Sequence, residues 1–257
     1  MMTRQPHTPA VALVEGLIAQ HPLPHSPDHA CPYLPGRMAR SEAFLADSID
    51  PAVYAAFMDR GFRRSGRVIY RPACDGCRAC TPIRVPVRTF RMSRSQRRIW
   101  RRNLDVRVEV GRPEPTEEKH DVYVRYLRDR HDGAMTGGRE EFVAFLYGSP
   151  VDTLEFRYRL GRRLVGVSLV DRCPGLLSSV YMYYDPDDRR RGLGTHSILW
   201  EIFYSRDHGL EYYYLGYRVA GCPKMSYKAN FRPHELLGPD GAWVSESDVM
   251  AGEDDVA

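Results

Sequence analysis

Between Thr153 and Tyr217 the apolar pattern leaves few folds open to this chain. Thr153–Leu160 and Leu164–Asp171 read as strands, and Gly161-Arg162 between them is a hairpin signal. Leu177–Tyr184 reads as a third strand. Asp185–Arg191 is a polar loop, and Gly192–His208 has helical character ended by Gly209. Glu211–Tyr217 is a last strand, rich in tyrosine. Strand, strand, strand, glycine-led helix, strand is an α+β order. There are no internal repeats.

Upstream, residues 1–30 are rich in Pro and His and read as a loose arm with one short helix over Ala10–Gln20. Ser48 or Asp50 caps a helix that has Pro51 in its first turn and Gly61 beyond its end, with Val53, Phe57 and Met58 facing inward. Arg67–Arg71 and Ile83–Val87 read as strands. Ser93–Arg102 reads as a helix whose only large apolar residues are Ile99 and Trp100, so most of it faces solvent or a ligand. Asn103–Val110 alternates like a half-buried strand. Thr116 caps a helix with apolar Val122, Tyr123, Tyr126 and Leu127, and Glu140–Tyr147 is a short helix. The expected divisions are an arm (1–30), a Cys- and Arg-rich N-terminal domain (31–110), a catalytic core (111–240) and an acidic tail (241–257) with Glu253, Asp254 and Asp255.

No apolar run approaches the roughly 18–20 residues that span a bilayer, and Glu15 interrupts the short run Val11–Ala19. A membrane partner is not expected, and the cytoplasm is the expected location. The chain has 6 cysteines. Cys74, Cys77 and Cys80 fall in a Cys-x-x-Cys-x-x-Cys run, which suits a metal or redox chemistry better than a disulfide framework. Cys31 is the best fourth ligand, and zinc or an iron–sulfur cluster fits four thiolates. Three reduced thiols in a turn is the plain alternative.

Net charge is only +4, but it is unevenly placed. Arg84, Arg88, Arg91, Arg94, Arg97, Arg98, Arg101 and Arg102 lie in one segment without an acid. Such a run is either a solvated face or a footprint for a polyanion, and arginine suits bidentate phosphate contacts. Arg189-x-x-Gly192-x-Gly194 opens the helix after the third core strand, where close backbone and free N–H groups favour an anion. After the tyrosine strand, Gly216, Gly221 and Pro223 mark a turn, and Lys224, Tyr227, Lys228 and Arg232 follow. Three cations and a phenol there suit an anionic ligand or transition state. An aromatic core strand with a solvated basic loop is the bland reading.

Three ordered segments carry a family resemblance. Tyr214-x-Gly216-Tyr217 with Cys222-Pro223-Lys224-Met225-x-Tyr227-Lys228 resembles the C-terminal signature of aminoacyl-tRNA–protein transferases. Cys31-Pro-Tyr-Leu-Pro-Gly-Arg37 and Gly61-Phe-Arg-Arg-Ser-Gly66 leading to Tyr70-Arg-Pro-x-Cys74 agree with it. The Cys-rich middle resembles the bacterial aspartate/glutamate leucyltransferase branch. The resemblance implies a GNAT-like acyltransferase core, in keeping with the element order, and a tRNA 3′ end where acetyltransferases hold an acyl-CoA pyrophosphate. It implies transfer of leucine from leucyl-tRNA to proteins beginning with Asp or Glu, marking them for degradation. No cofactor is needed for that chemistry, because an aminoacyl ester is already activated.

On this reading Lys224, Tyr227 and Lys228 line the acceptor or oxyanion site, with Tyr183, Tyr184 and Asp185 orienting the amine. Arg37 and Arg64 contribute from the N-terminal half. Arg94, Arg97, Arg98, Arg101, Arg102, Arg189, Gly192 and Gly194 hold the tRNA. Arginyl-tRNA as donor, an acyl-CoA-dependent N-acetyltransferase, and an RNA-binding module without catalysis are the competing readings.

Overall fold

The computed structural model describes residues 9–130 and 137–245. Most of the expected acidic tail, including Glu253, Asp254 and Asp255, lies outside the described residues.

The first elements are α1 (Pro9–Gln20), β1 (His29–Ala30), β2 (Met38–Ala39), β3 (Ser41–Leu45), α2 (Pro51–Asp59), β4 (Arg63–Ser65) and β5 (Val68–Pro72). β1 and β2 form a small ribbon, and β3, β5 and β4 a three-stranded antiparallel sheet. α2 starts where it does because the Asp50 carboxylate accepts from the Ala52 and Val53 N–H groups, while Pro51 needs no donor there. It buries Tyr54, Ala56, Phe57 and Met58. α1 places Val14 in the same apolar cluster, so residues 9–20 pack against α2.

The large sheet begins upstream of residue 111. It takes β6 (Cys80–Pro86) and, after α3 (Arg94–Arg102), β7 (Val106–Gly111). The expected strand start at Asn103 is delayed to Val106, and Leu104 points into solvent. Then come α4 (Glu117–Arg130), α5 (Arg139–Phe142), β8 (Thr153–Leu160), β9 (Arg163–Cys173), β10 (Leu176–Tyr184), α6 (Leu193–Asp207), β11 (Tyr212–Val219), α7 (Pro223–Ser226), β12 (Glu235–Leu237) and β13 (Trp243–Ser245). The strand order is β13-β12-β6-β11-β10-β9-β8-β7, so both halves of the chain build one sheet. α6 buries Leu193, Ile198, Leu199 and Ile202 with Phe156, Tyr158, Leu177 and Leu215. α4 covers the other face, where Val122, Tyr123 and Leu127 meet Val167, Leu169 and Tyr183. Each such side chain contributes about 1.5–3 kcal/mol when fully buried.

Among the described residues only β10 and β11 run parallel, and they pair only from Leu176–Tyr212 to Ser178–Tyr214. Both strands continue, to Tyr184 and Val219, without pairing further. Irregularities break each one at this level: between Ser179 and Tyr181 in β10, and between Tyr214 and Tyr217 in β11. Gly216 sits in the second with φ 80°, a conformation that favours glycine. A wedge therefore opens between the two strands. Three antiparallel strands, a crossing helix and a splayed parallel strand form the GNAT-like core expected from the element order.

Candidate functional site

The basic turn lies beyond the open end of β11. Lys224 and Tyr227 are exposed on it, and Lys228 is buried beneath. The Lys228 ammonium donates to the Tyr217 carbonyl at 2.9 Å. A Cβ on Gly216 would stand 3.5 Å from that Nζ, so glycine serves both the strand break and the lysine. Burial, then the nearby Arg63 cation, lowers Lys228 to about 8.

The arginine helix α3 packs beside this turn. The Ser93 hydroxyl and Gln96 amide cap its start reciprocally, and the buried Gln96 Nε2 also donates to the Asn230 carbonyl at 3.0 Å. At the other end, Asn103 Nδ2 donates to the Arg191 carbonyl at 2.9 Å. Between them Ile99 covers Gly192, which has φ 70° and room for no more than 3.4 Å to a Cβ. α3 thus runs from the Lys224–Lys228 turn to the glycine loop. Arg94, Arg97, Arg98, Arg101 and Arg102 are all exposed, and among the described residues none has a carboxylate partner within 4.0 Å. Arg102, Arg190 and Arg191 line a shallow surface hollow of about 580 Å³. Arg189 is exposed, and Gly194 lies under the Tyr184 ring, 3.8 Å from it were a Cβ present. Arg84 departs from the run: it is buried in β6, donating to Glu235 at 2.7 Å and to the Tyr214 hydroxyl at 3.0 Å.

The other expected residues are placed differently. Tyr184 faces the wedge and packs on Tyr126. Tyr183 points to the opposite face, fully buried, its hydroxyl 3.3 Å from that of Tyr147. Asp185 is buried and holds Arg125 and Arg163, each at 2.9 Å, while capping the following turn. Arg64 is buried and binds Asp171 side-on, Nε at 2.7 Å and Nη2 at 2.6 Å. Arg37 is exposed beside Cys77, on a hollow of about 280 Å³ shared with Arg40 and Cys74.

Arg63 was not among the expected residues. It is 5% exposed, and its guanidinium lies over the rings of Tyr214 and Tyr217, 5.2 and 5.5 Å from their centroids. Nη1 donates to the carbonyls of Met58 and Phe62. Nε and Nη2 are buried and have no hydrogen-bond partner among the described residues. The doubled arginine at 63–64 was the available signal, since strand neighbours face opposite sides. Which of the two meets an acid is settled by Asp171, 107 residues further on.

The metal expectation is corrected. Among the described residues no group of three or more His, Cys, Asp or Glu side chains could hold a metal ion. Cys31 accepts from the Leu34 N–H, Cys74 from the Arg40 N–H, and Cys77 from Arg37. Burial, then the thiols of Cys74, Cys31 and Cys77, raises Cys80 to about 11. As placed here, the four cysteines do not form a ligand set for zinc or an iron–sulfur cluster.

Comparison with known proteins agrees with the sequence segments. The profile "Arginine-tRNA-protein transferase, N terminus" matches residues 29–98, and "Arginine-tRNA-protein transferase, C terminus" matches residues 118–238. The aspartate/glutamate leucyltransferase of Pseudomonas savastanoi pv. phaseolicola is 44% identical over 221 residues, covering 84% of this chain and 93% of the relative. That of Stutzerimonas stutzeri is 44% identical over 223 residues, covering 85% and 94%. Among solved structures, L-PGS from Bacillus licheniformis aligns with a TM-score of 0.44 at 15% identity, over 68% of this chain and 52% of that one. With similarity across nearly their whole length to named transferases, and both halves of the profile matched in order, this chain belongs to the arginine-tRNA-protein transferase family.

Proposed function

We propose that this protein transfers leucine from leucyl-tRNA to the α-amine of proteins that begin with Asp or Glu. The donor and acceptor follow the names of relatives that match it almost end to end. The observation that carries the reading is the course of α3. One unpaired arginine face borders both the glycine loop and the Lys224–Lys228 turn. A tRNA backbone on α3 would deliver its 3′ end to the wedge between β10 and β11. Phosphate contacts position such a ligand without reading its sequence.

The chemistry asks little of the protein. A free α-amine has a pKa of about 7.7–8.0, so a useful fraction is neutral near pH 7. It attacks the ester carbonyl, forming the C–N bond. The tetrahedral intermediate then expels the tRNA ribose oxygen, which takes the proton the amine gives up. Alignment and oxyanion stabilisation supply the rate. Lys224 and Tyr227 are the exposed donors at the rim, with Tyr184 across the wedge. Lys228 adds positive potential below. Among the described residues no helix is long and apolar enough to cross a membrane. Marking of the product for degradation is the role that the family resemblance implies.

The test is incubation of the purified protein with leucyl-tRNA, arginyl-tRNA or acetyl-CoA and a peptide beginning with Asp, Glu or Asn. Leucine appearing on the Asp and Glu peptides, from leucyl-tRNA alone, is the expected result. Arginine transfer, or acetyl transfer without tRNA, would replace this reading with another.

A further inference from the structure

Arg63 is a buried cation whose best hydrogen-bonding edge is empty. Its Nη1 is tied to two backbone carbonyls, which fixes the plane of the guanidinium. Two tyrosine rings hold it from the sides. What remains is the Nε–Nη2 edge, with both donors buried and unpartnered. The adjacent Arg64 shows what this edge does when an acid is supplied: it takes both oxygens of Asp171. Lys228, 9% exposed, is a second cation in the same region. The strongest influences on it are its own burial and Arg63, and no carboxylate is among them. Burying a charge without a counter-ion is costly, so two such cations together mark a place suited to an anion.

We infer that Arg63, flanked by Lys228, is the residue that reads the side-chain carboxylate of the acceptor's N-terminal Asp or Glu. This rests on the reading of the reaction given above. The Nε–Nη2 edge matches a carboxylate's two oxygens, and the amide of Asn or Gln offers only one acceptor and would leave a donor unpaired. The site lies at the strand break of β11, where Arg63 meets the Tyr217 ring and Lys228, of the turn that carries Lys224 and Tyr227, reaches Gly216 and the Tyr217 carbonyl. The acceptor's amine, two or three carbons from its carboxylate, is thereby placed toward the rim. Half-buried Tyr33, Tyr70 and Met225 pack against the cluster of Tyr217, Val219 and Cys222 beside it.

The experiment compares leucine transfer to Asp- and Asn-initiated peptides by the full chain and by Arg63→Gln, Arg63→Lys and Arg64→Gln, with melting temperatures for each. Arg63→Gln should lower kcat/KM for the Asp peptide by about 100-fold or more, chiefly through KM, and bring the Asp-to-Asn ratio close to one. Its melting temperature should match or exceed that of the parent, because an unpartnered buried cation is gone. Arg63→Lys keeps the charge but loses the fork, and its ratio should fall about tenfold. Arg64→Gln should melt lower while any folded fraction keeps the parental ratio. An unchanged ratio in Arg63→Lys overturns the inference, and so does an unchanged ratio in Arg63→Gln; if the Gln variant does not fold, the Lys variant decides. Failure of the parent protein to move leucine onto the Asp peptide would instead overturn the proposed function.

Discussion

Arg64 and Arg63 are neighbours on one short strand and are equally buried, yet only one of them has found its acid. Arg64 closes a side-on pair with Asp171, and the Thr153 hydroxyl fills the remaining position near the same carboxylate. Arg63 is held by carbonyls and rings and keeps its fork free. The contrast sorts the other cations as well. Arg84 with Glu235, and Arg125 and Arg163 with Asp185, are cations whose anion lies in the chain, and they tie strands and loops together. The arginines of α3 and Arg63 have no carboxylate partner among the described residues. A cation completed within the fold ties it together, and a cation left incomplete is where the proposed ligands would bind.

The largest effect should come from breaking the completed pair. Arg64→Gln strands a buried carboxylate, and removal of one partner of such a pair costs about 3–5 kcal/mol. Denaturant unfolding measures it. A loss under about 1 kcal/mol would mean that Asp171 rearranges and that Arg64 is not committed to the fold.

Next comes Lys228, the second incomplete cation. Its folded value of about 8 lies below the ordinary 10.5. The folded state therefore releases this proton earlier than the unfolded chain does. The linked stability is fully present above pH 10.5 and is lost as pH falls through about 8. Unfolding free energy should thus carry a rising component between these values, on the order of 3 kcal/mol at full extent. Lys228→Met should remove that component and slow transfer. A Met variant with the parental pH profile would show that the ammonium is solvated in the folded protein.

Exposed incomplete cations should matter to the ligand and hardly to the fold. Replacing Arg97, Arg98 and Arg101 together with Ala should lower the slope of log tRNA affinity against log salt by about 3, one per lost contact. Surface changes of this kind usually leave stability within about 0.5 kcal/mol per site. An unchanged salt slope would make α3 an ordinary solvated face.

The sequence disclosed elements better than partnerships. The hairpin at Gly161, the cap at Asp50, the helix after Ser93 and the glycine-led α6 are local features, decided by propensity and spacing within a few residues. The course of α3 was not legible, because its anchors, Asn230 and Arg191, lie 134 and 88 residues away. Arg64 and Asp185 looked equally suited to substrate as to structure until the fold supplied Asp171, Arg125 and Arg163. The thiol spacing suggested a metal, but among the described residues no three ligand-type side chains come together as a metal would need. Spacing along the chain does not report where the thiols point. Arg63 was hidden for the same reason as Arg64: strand alternation says that the two differ, not which one is answered.

The smallest effect tests whether α3 must be held in place or merely be basic. Gln96 is the only buried residue of that helix, joining its cap to the Asn230 carbonyl. Gln96→Leu removes both bonds while keeping an apolar filler, at a cost of about 1–2 kcal/mol. The other end of α3 stays anchored by Asn103 and by Ile99 on Gly192. Affinity for tRNA, which depends on charge, should then change less than about threefold. Transfer depends on the distance from the α3 phosphate contacts to the Lys224–Lys228 turn, and a small misplacement of a reacting group costs far more than its binding energy. The variant should therefore lose kcat at nearly constant tRNA affinity. Equal losses in both would mean that Gln96 serves only the helix, and that the incomplete cations of α3 and of the turn act independently.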